Sequence, residues 1–182
     1  HYYNYYIMVL TKTPICNFGE KPHSFELKGV DEKIYKLEDC KGNKGTIIMF
    51  ICNHCPYVKA IVKDLVKDVN SLKTLEINAV AIMSNDTINY PDDSFDKMIE
   101  FSKENGFGFP YLIDETQEIA KKYDAVCTPD FFGYNKNLEL QYRGRIRELK
   151  DLKPIEGGES DLLKAMKMIA KTGQGPKEQV PS

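Results

Sequence analysis

The stretch Phe50-Ile51-Cys52-Asn53-His54-Cys55-Pro56-Tyr57 sets two cysteines three residues apart around an Asn-His pair, directly after an apolar run. Sulfur at that spacing can do several kinds of chemistry. Two thiols one helical turn apart can close a small disulfide and exchange electrons with other disulfides. One of them, as a thiolate, can reduce a peroxide by way of a sulfenic acid. The pair can also hold a metal ion, or both can be inert core thiols. In the exchange reading Cys52 attacks a substrate disulfide and Cys55 resolves the mixed disulfide. A strand running into a helix at this point leaves the first turn's N–H groups unpaired, and their partial positive charge favours an anion. Cys52 is expected at that position, with a lowered pKa. His54 tunes Cys52 by a hydrogen bond or, when protonated, a charge; the plainer reading is a solvated histidine at a helix start. Pro56 lies early in the helix, where its missing N–H costs little.

A second constellation is Cys127-Thr128-Pro129, just before the apolar run Phe131-Phe132. A cis proline at position 129 would shape the backbone beside the reactive pair and leave the peptide groups around Thr128 free to pair with a bound chain. An ordinary trans proline at a strand start is the alternative. Cys127 is then a third redox thiol or a small buried residue. Copper or zinc through Cys52, Cys55 and either His54 or Cys127 is the binding-module reading. Zinc normally takes four ligands, often from two separated pairs, and here there is one pair. His1 and His23 add no spacing signal. The site expected from sequence therefore holds no metal and no other cofactor.

These residues need elements to position them. Phe25–Leu27 and Ile34–Lys36 flank the turn Gly29–Glu32 as an N-terminal hairpin. Thr46–Ile51 is a continuous apolar run, as a buried central strand should be. Val58, Ile61, Val62, Leu65 and Val69 recur at helical spacing, so a helix opens at or near the C-x-x-C. Glu76–Met83 is the next strand and Ser84–Asp93 a polar loop. A second helix carries Phe95, Met98, Ile99 and Ser102. Phe109–Ile113 is a short strand, and Asp114–Gln117 has the form of a capping box opening a helix to Tyr123. Phe131–Tyr134 and Leu138–Arg143 form a hairpin, Lys150–Gly158 a charged loop, and Leu162, Ala165, Met166 and Ile169 the face of a last helix. Strand, C-x-x-C, helix, and later a proline opening a hairpin is thioredoxin-like architecture. The expected fold is α/β: a central mixed sheet flanked by helices, an N-terminal hairpin, and an extra helix between the C-x-x-C helix and the cis-Pro.

A length of 182 residues suits one domain. The expected division is an irregular lead-in over 1–12, the domain over 13–172 and a mobile polar tail over 173–182. Lys and Arg total 25 against 27 Asp and Glu, which gives no electrostatic reason to expect nucleic acid or an anionic membrane. No apolar run approaches the roughly 20 residues of a membrane span. The start His1–Met8 lacks the basic-then-apolar pattern of a signal peptide, with Met8 a candidate first residue. Five cysteines, Cys16, Cys40, Cys52, Cys55 and Cys127, are an odd and irregular set rather than a secreted disulfide framework. The expected compartment is the cytoplasm, or the periplasm if a signal peptide has been removed.

The chain resembles the thioredoxin superfamily, and within it the peroxiredoxin-like AhpC/TSA and TlpA-like thioredoxin family proteins of bacteria. The stretches that carry the likeness are Pro22–Leu27, Met49–Ala60, Ala81–Asp86, Tyr111–Glu118, Cys127–Phe132 and Tyr142–Gly144. The resemblance implies a thiol oxidoreductase whose partners are a protein or small-molecule disulfide, or peroxide, and a reductant such as a thioredoxin or glutathione system. The sequence departs from the pattern in two ways. No tryptophan precedes the C-x-x-C, where Ile51 stands, and the strand Thr46–Ile51 holds no acid to match the buried carboxylate of thioredoxin. Pro129 lies 74 positions after Cys55, room for the additional helix of the peroxiredoxin and TlpA branches. The peroxidase alternative uses Cys55: peroxiredoxins carry a reactive cysteine followed by proline, with Thr or Ser three residues before. Cys55-Pro56 fits, but Cys52 occupies the hydroxyl's place. Arg143 is a possible thiolate partner in that reading, or a solvated strand-end arginine.

Overall fold

A computed structural model describes residues 15–182; the expected lead-in, with Met8, lies outside the described residues. Seven strands form one mixed sheet: β1 (Glu26–Gly29), β2 (Ile34–Lys36), β3 (Gly45–Phe50), β4 (Ile77–Met83), β5 (Tyr111–Ile113), β6 (Asp130–Asn135) and β7 (Leu140–Gly144). Their order is β2-β1-β5-β4-β3-β6-β7. β3 runs parallel to β4 and antiparallel to β6, with Phe50 opposite both Ile82 and Asp130. The strand that leads into the cysteine pair is thus flanked by the strand that follows Pro129.

Alternation along β3 sends its side chains to two cores. Ile47, Met49 and Ile51 face one cluster with α2 (Pro56–Lys73), α3 (Phe95–Glu104) and α5 (Asp161–Thr172). Ile48 and Phe50 face the other, with Leu37 and Cys40 of α1 (Leu37–Cys40) and Ile119 of α4 (Glu118–Lys122). The helical positions read from periodicity, Val58, Ile61, Val62, Leu65 and Val69, are all buried, as are Leu162, Ala165, Met166 and Ile169. The mixed sheet flanked by helices is the expected fold, and α3 and α4 lie between the C-x-x-C helix and Pro129.

Several local expectations are corrected. Asp114–Gln117 is not a capping box: α4 starts at Glu118, and the buried Asp114 reaches forward to accept from the backbone N–H of Ile119 and Ala120, both 3.1 Å. The polar loop before α3 ends in a turn of 3-10 helix, Pro91–Asp93. The charged loop after β7 contains a small hairpin, β8 (Leu149–Lys150) with β9 (Lys153–Pro154). The segment expected to be a mobile tail lies along β7: Arg145 N donates to Val180 O at 2.9 Å, and the Gln179 side chain bonds both Arg143 N and Gln141 O. Its polar residues satisfy the outer edge of β7, which among the described residues has no further strand beside it.

Candidate functional site

The chain leaves β3 at Phe50, passes through Cys52, Asn53 and His54 without regular structure, and enters α2 at Pro56. The expectation that Cys52 stands at the helix start is corrected: Cys55 is the N-cap residue and Pro56 occupies the first turn. A proline there loses no helical hydrogen bond, so the helix begins one step after the pair rather than around it.

Both sulfurs are buried, and neither is in a disulfide. They lie next to one another. Thr128 faces the two together. Its hydroxyl lies 3.6 Å from Cys52 Sγ, and its carbonyl oxygen accepts from Cys55 Sγ at 3.6 Å. The Thr128–Pro129 bond is cis. The sequence-read groove residues Thr128 and Pro129 are therefore at the pair. Cys127 is buried next to them, its thiol pushed up to about 12 by that burial.

The expected lowering of the Cys52 pKa is corrected. Burial pushes its thiol well above the usual range, and the contact with Cys55 and the charge of Asp93 act the same way; only the Thr128 hydroxyl works against them. Desolvation of the charged form outweighs any benefit from a helix that starts four residues later.

Asp93 organises this turn, and the sequence reading did not single it out. Its carboxylate is fully buried. Oδ1 accepts from Asn53 N at 2.8 Å and His54 N at 3.3 Å. Oδ2 accepts from Asn85 Nδ2 at 2.9 Å and pairs with His54 Nδ1. Tyr90 stacks on the His54 ring, centroids 5.4 Å apart and planes 10° apart. The hydrogen bond to Asp93 raises the His54 pKa, against the opposing effect of burial. The plain reading of His54 as a solvated residue does not hold. The signal in the sequence was Pro91-Asp92-Asp93-Ser94 before α3, which looks like helix-start chemistry; nothing in it points back 40 residues to the cysteines.

The Asn53 side chain is tied from the other side. Tyr111 of β5, fully buried, donates its hydroxyl to Asn53 Oδ1 at 2.7 Å, and Asn53 Nδ2 donates to Asp92 O at 3.1 Å. Tyr111→Phe strands a buried amide oxygen and is expected to cost about 1–2 kcal/mol in urea unfolding. A change below about 0.3 kcal/mol would show that this bond does not hold the turn.

The metal reading took Cys52, Cys55 and either His54 or Cys127. Among the described residues the structure gathers a different set, Cys52, His54 and Asp93, with donor atoms within 4.8 Å of one another. In it the imidazole is already turned to the carboxylate. Arg143 is not a solvated strand-end residue. It is buried and donates from Nη2 to Asp130 Oδ2 and to Asp124 O, both 2.8 Å, with its guanidinium 4.4 Å above the Phe132 ring. A cleft of about 430 Å³ is lined in part by Asn53, His54, Lys59, Asp92, Lys97 and Glu100.

The sequence profile of the AhpC/TSA family matches residues 18–149. The chain belongs to the AhpC/TSA family. A crystal structure of an uncharacterized conserved protein from Geobacillus kaustophilus is 38% identical, over 94% of this chain and 92% of that one, with a TM-score of 0.89. A hypothetical protein from Sinorhizobium meliloti is 31% identical over 94% of both chains, TM-score 0.86. A thiol:disulfide interchange protein of the thioredoxin family from Chlorobium tepidum shares the fold at 18% identity, over 88% of this chain and 97% of that one, TM-score 0.61. No curated protein matches the chain. This AhpC/TSA member thus has a thioredoxin-like fold, as its strand order and cysteine placement indicate. Among its described helices none is long and apolar enough to cross a membrane.

Proposed function

We propose that the protein is a thiol–disulfide oxidoreductase that works through Cys52 and Cys55. The observation that carries this reading is the placement of both thiols next to one another and against the two oxygens of Thr128. Cys52, as a thiolate, attacks one sulfur of a substrate disulfide, and the other sulfur leaves as a thiolate. Cys55 then attacks Cys52, releasing the second substrate thiol and leaving a Cys52–Cys55 disulfide. A reductant of the thioredoxin or glutathione class returns two electrons. The substrate is a protein or small-molecule disulfide that enters beside Thr128 and Pro129. An odd and irregular set of five cysteines suits a reducing compartment such as the cytoplasm.

One observation favours peroxide reduction as a second reading. Cys55 occupies the N-cap of an 18-residue helix with Pro56 directly after it, the cysteine-proline order of peroxiredoxins. Peptide mass mapping after one equivalent of hydrogen peroxide, with thiols blocked at intervals, separates the two. Slow formation of a Cys52–Cys55 disulfide, with no sulfenic acid trapped, is the expected result. Rapid sulfenic acid at Cys55, followed by a bond to Cys52 or Cys127, would move the function to peroxide reduction and reverse the roles of the two thiols.

A further inference from the structure

We infer that Asp93 and His54 form a proton relay for Cys52: Asp93 orients His54 and stabilises its charged form, and His54 takes the proton that the Cys52 thiol gives up and returns it to the leaving thiolate. The inference rests on the reading of Cys52 as the attacking sulfur.

Three reactive groups from two distant segments meet here. A donor atom from each of Cys52, His54 and Asp93 lies within 4.8 Å of the other two. The ring is held on one edge by the Asp93 carboxylate and on one face by Tyr90. The carboxylate is itself fixed by three further donors, two of them backbone N–H groups of the Asn53–His54 turn. With Nδ1–H donating to Asp93, the neutral imidazole keeps Nε2 as its acceptor, so Nε2 is the atom that gains the proton. A buried imidazolium is costly unless an opposite charge accompanies it, and Asp93 supplies that charge.

The same carboxylate acts on Cys52 with the opposite sign. Its charge, like burial and the contact with Cys55, opposes thiolate formation. A bare thiolate is therefore disfavoured here. A thiolate beside a protonated His54 is not, because the pair as a whole carries no more charge than before the transfer. The step balances. The Cys52 proton moves to Nε2, the sulfur's electron pair forms the new S–S bond, the old S–S bond breaks, and the departing sulfur takes the proton back from Nε2. Other titratable and charged groups lie around the pair: Cys55 from its own segment, Asp92 from the 3-10 turn and Tyr111 from β5, while the cleft that His54 helps to line adds Lys59 and Lys63 of α2 with Lys97, Glu100 and Glu104 of α3.

The test is the reaction rate of the reduced protein with 4,4′-dithiodipyridine across pH 5 to 9, in the native protein and in Asp93→Asn, with the adduct located by peptide mass mapping. Asparagine keeps an oxygen for the two backbone N–H groups and removes the charge. The relay requires the variant to react about 10²-fold more slowly near pH 7, with a displaced pH profile. A carboxylate that acts on Cys52 by charge alone gives the opposite sign, a faster reaction, since its removal eases thiolate formation; equal or faster reaction of Cys52 in the variant overturns the relay. An adduct on another cysteine in the native protein overturns Cys52 as nucleophile and the relay with it, so the two failures are distinguishable. Should Asp93→Asn not fold, the NMR titration of His54 in the native protein decides. A midpoint above 6.5 with Nδ1 protonated in the neutral form supports the relay, and a midpoint at or below 6.5 overturns it.

Discussion

Cys52→Ser is expected to lower disulfide turnover by at least about 10³-fold, while Cys55→Ser is expected to stop after the first half-reaction. A serine hydroxyl does not attack a disulfide at neutral pH and cannot leave from one, so no part of the cycle survives the first change. The second change removes only the resolving thiol. Cys52 in that variant still reacts with a disulfide and stays bound to half of it. The checks are a dithiothreitol-driven disulfide reductase assay for the first variant and intact mass after exposure to a disulfide for the second. Both substitutions are nearly isosteric in a core where each sulfur already sits near a hydroxyl or carbonyl of Thr128, so loss of fold is not the expected cause of any loss of rate. Retained turnover in Cys52→Ser would move the attacking role to Cys55, the residue at the helix N-cap, and with it the function toward peroxide reduction.

The sequence made the fold and half of the site readable, and the division has a physical basis. Continuous apolar runs such as Ile47–Ile51 and Val80–Met83 have one use in an α/β chain, as central strands. Periodic positions such as Val58, Ile61 and Leu65 have one use as a helix face. The C-x-x-C and the Thr128-Pro129 pair are local patterns at the ends of those elements, so their meeting followed from topology. Asp93 was not readable for the opposite reason. Its partners Asn53 and His54 are 40 and 39 residues away, and a lone aspartate before a helix has an ordinary local explanation in capping. The pKa of Cys52 was misjudged because a helix N-terminus is visible in sequence while burial of a sulfur between a second thiol and a carboxylate is not. Arg143 was misread in the same way: in strand Leu140–Gly144 its neighbours suggest an edge position, and only the packing of the tail and of Asp130 shows that it lies inside.

That buried pair makes the largest stability prediction. Arg143→Met is expected to destabilise the protein by about 3–5 kcal/mol, because it leaves Asp130 as an uncompensated charge in the core. Asp130 is already near the limit of what its surroundings allow: burial pushes its carboxyl up to about 6, with the Arg143 guanidinium pulling the other way. Without that guanidinium the folded-state pKa rises further above the unfolded value near 3.9. The native state then binds a proton more tightly than the unfolded chain, so stability is lost as pH rises through the window from about 4 to beyond 6. The penalty of Arg143→Met should therefore be small near pH 4.5, where Asp130 can be neutral, and full at pH 8. Urea unfolding at the two pH values checks this, and a penalty independent of pH would show that the arginine acts through its stacking on Phe132 and its bond to Asp124 O rather than through its charge. Asp130 opens β6 directly after Pro129, so the pair also holds the backbone that carries Thr128 to the thiols. The double variant Asp130→Leu, Arg143→Met removes both charges and should recover much of the lost stability. If thiol exchange recovers with it, the ion pair's part in function is to hold the Thr128 loop in place, and its charge has no direct part in the chemistry at Cys52.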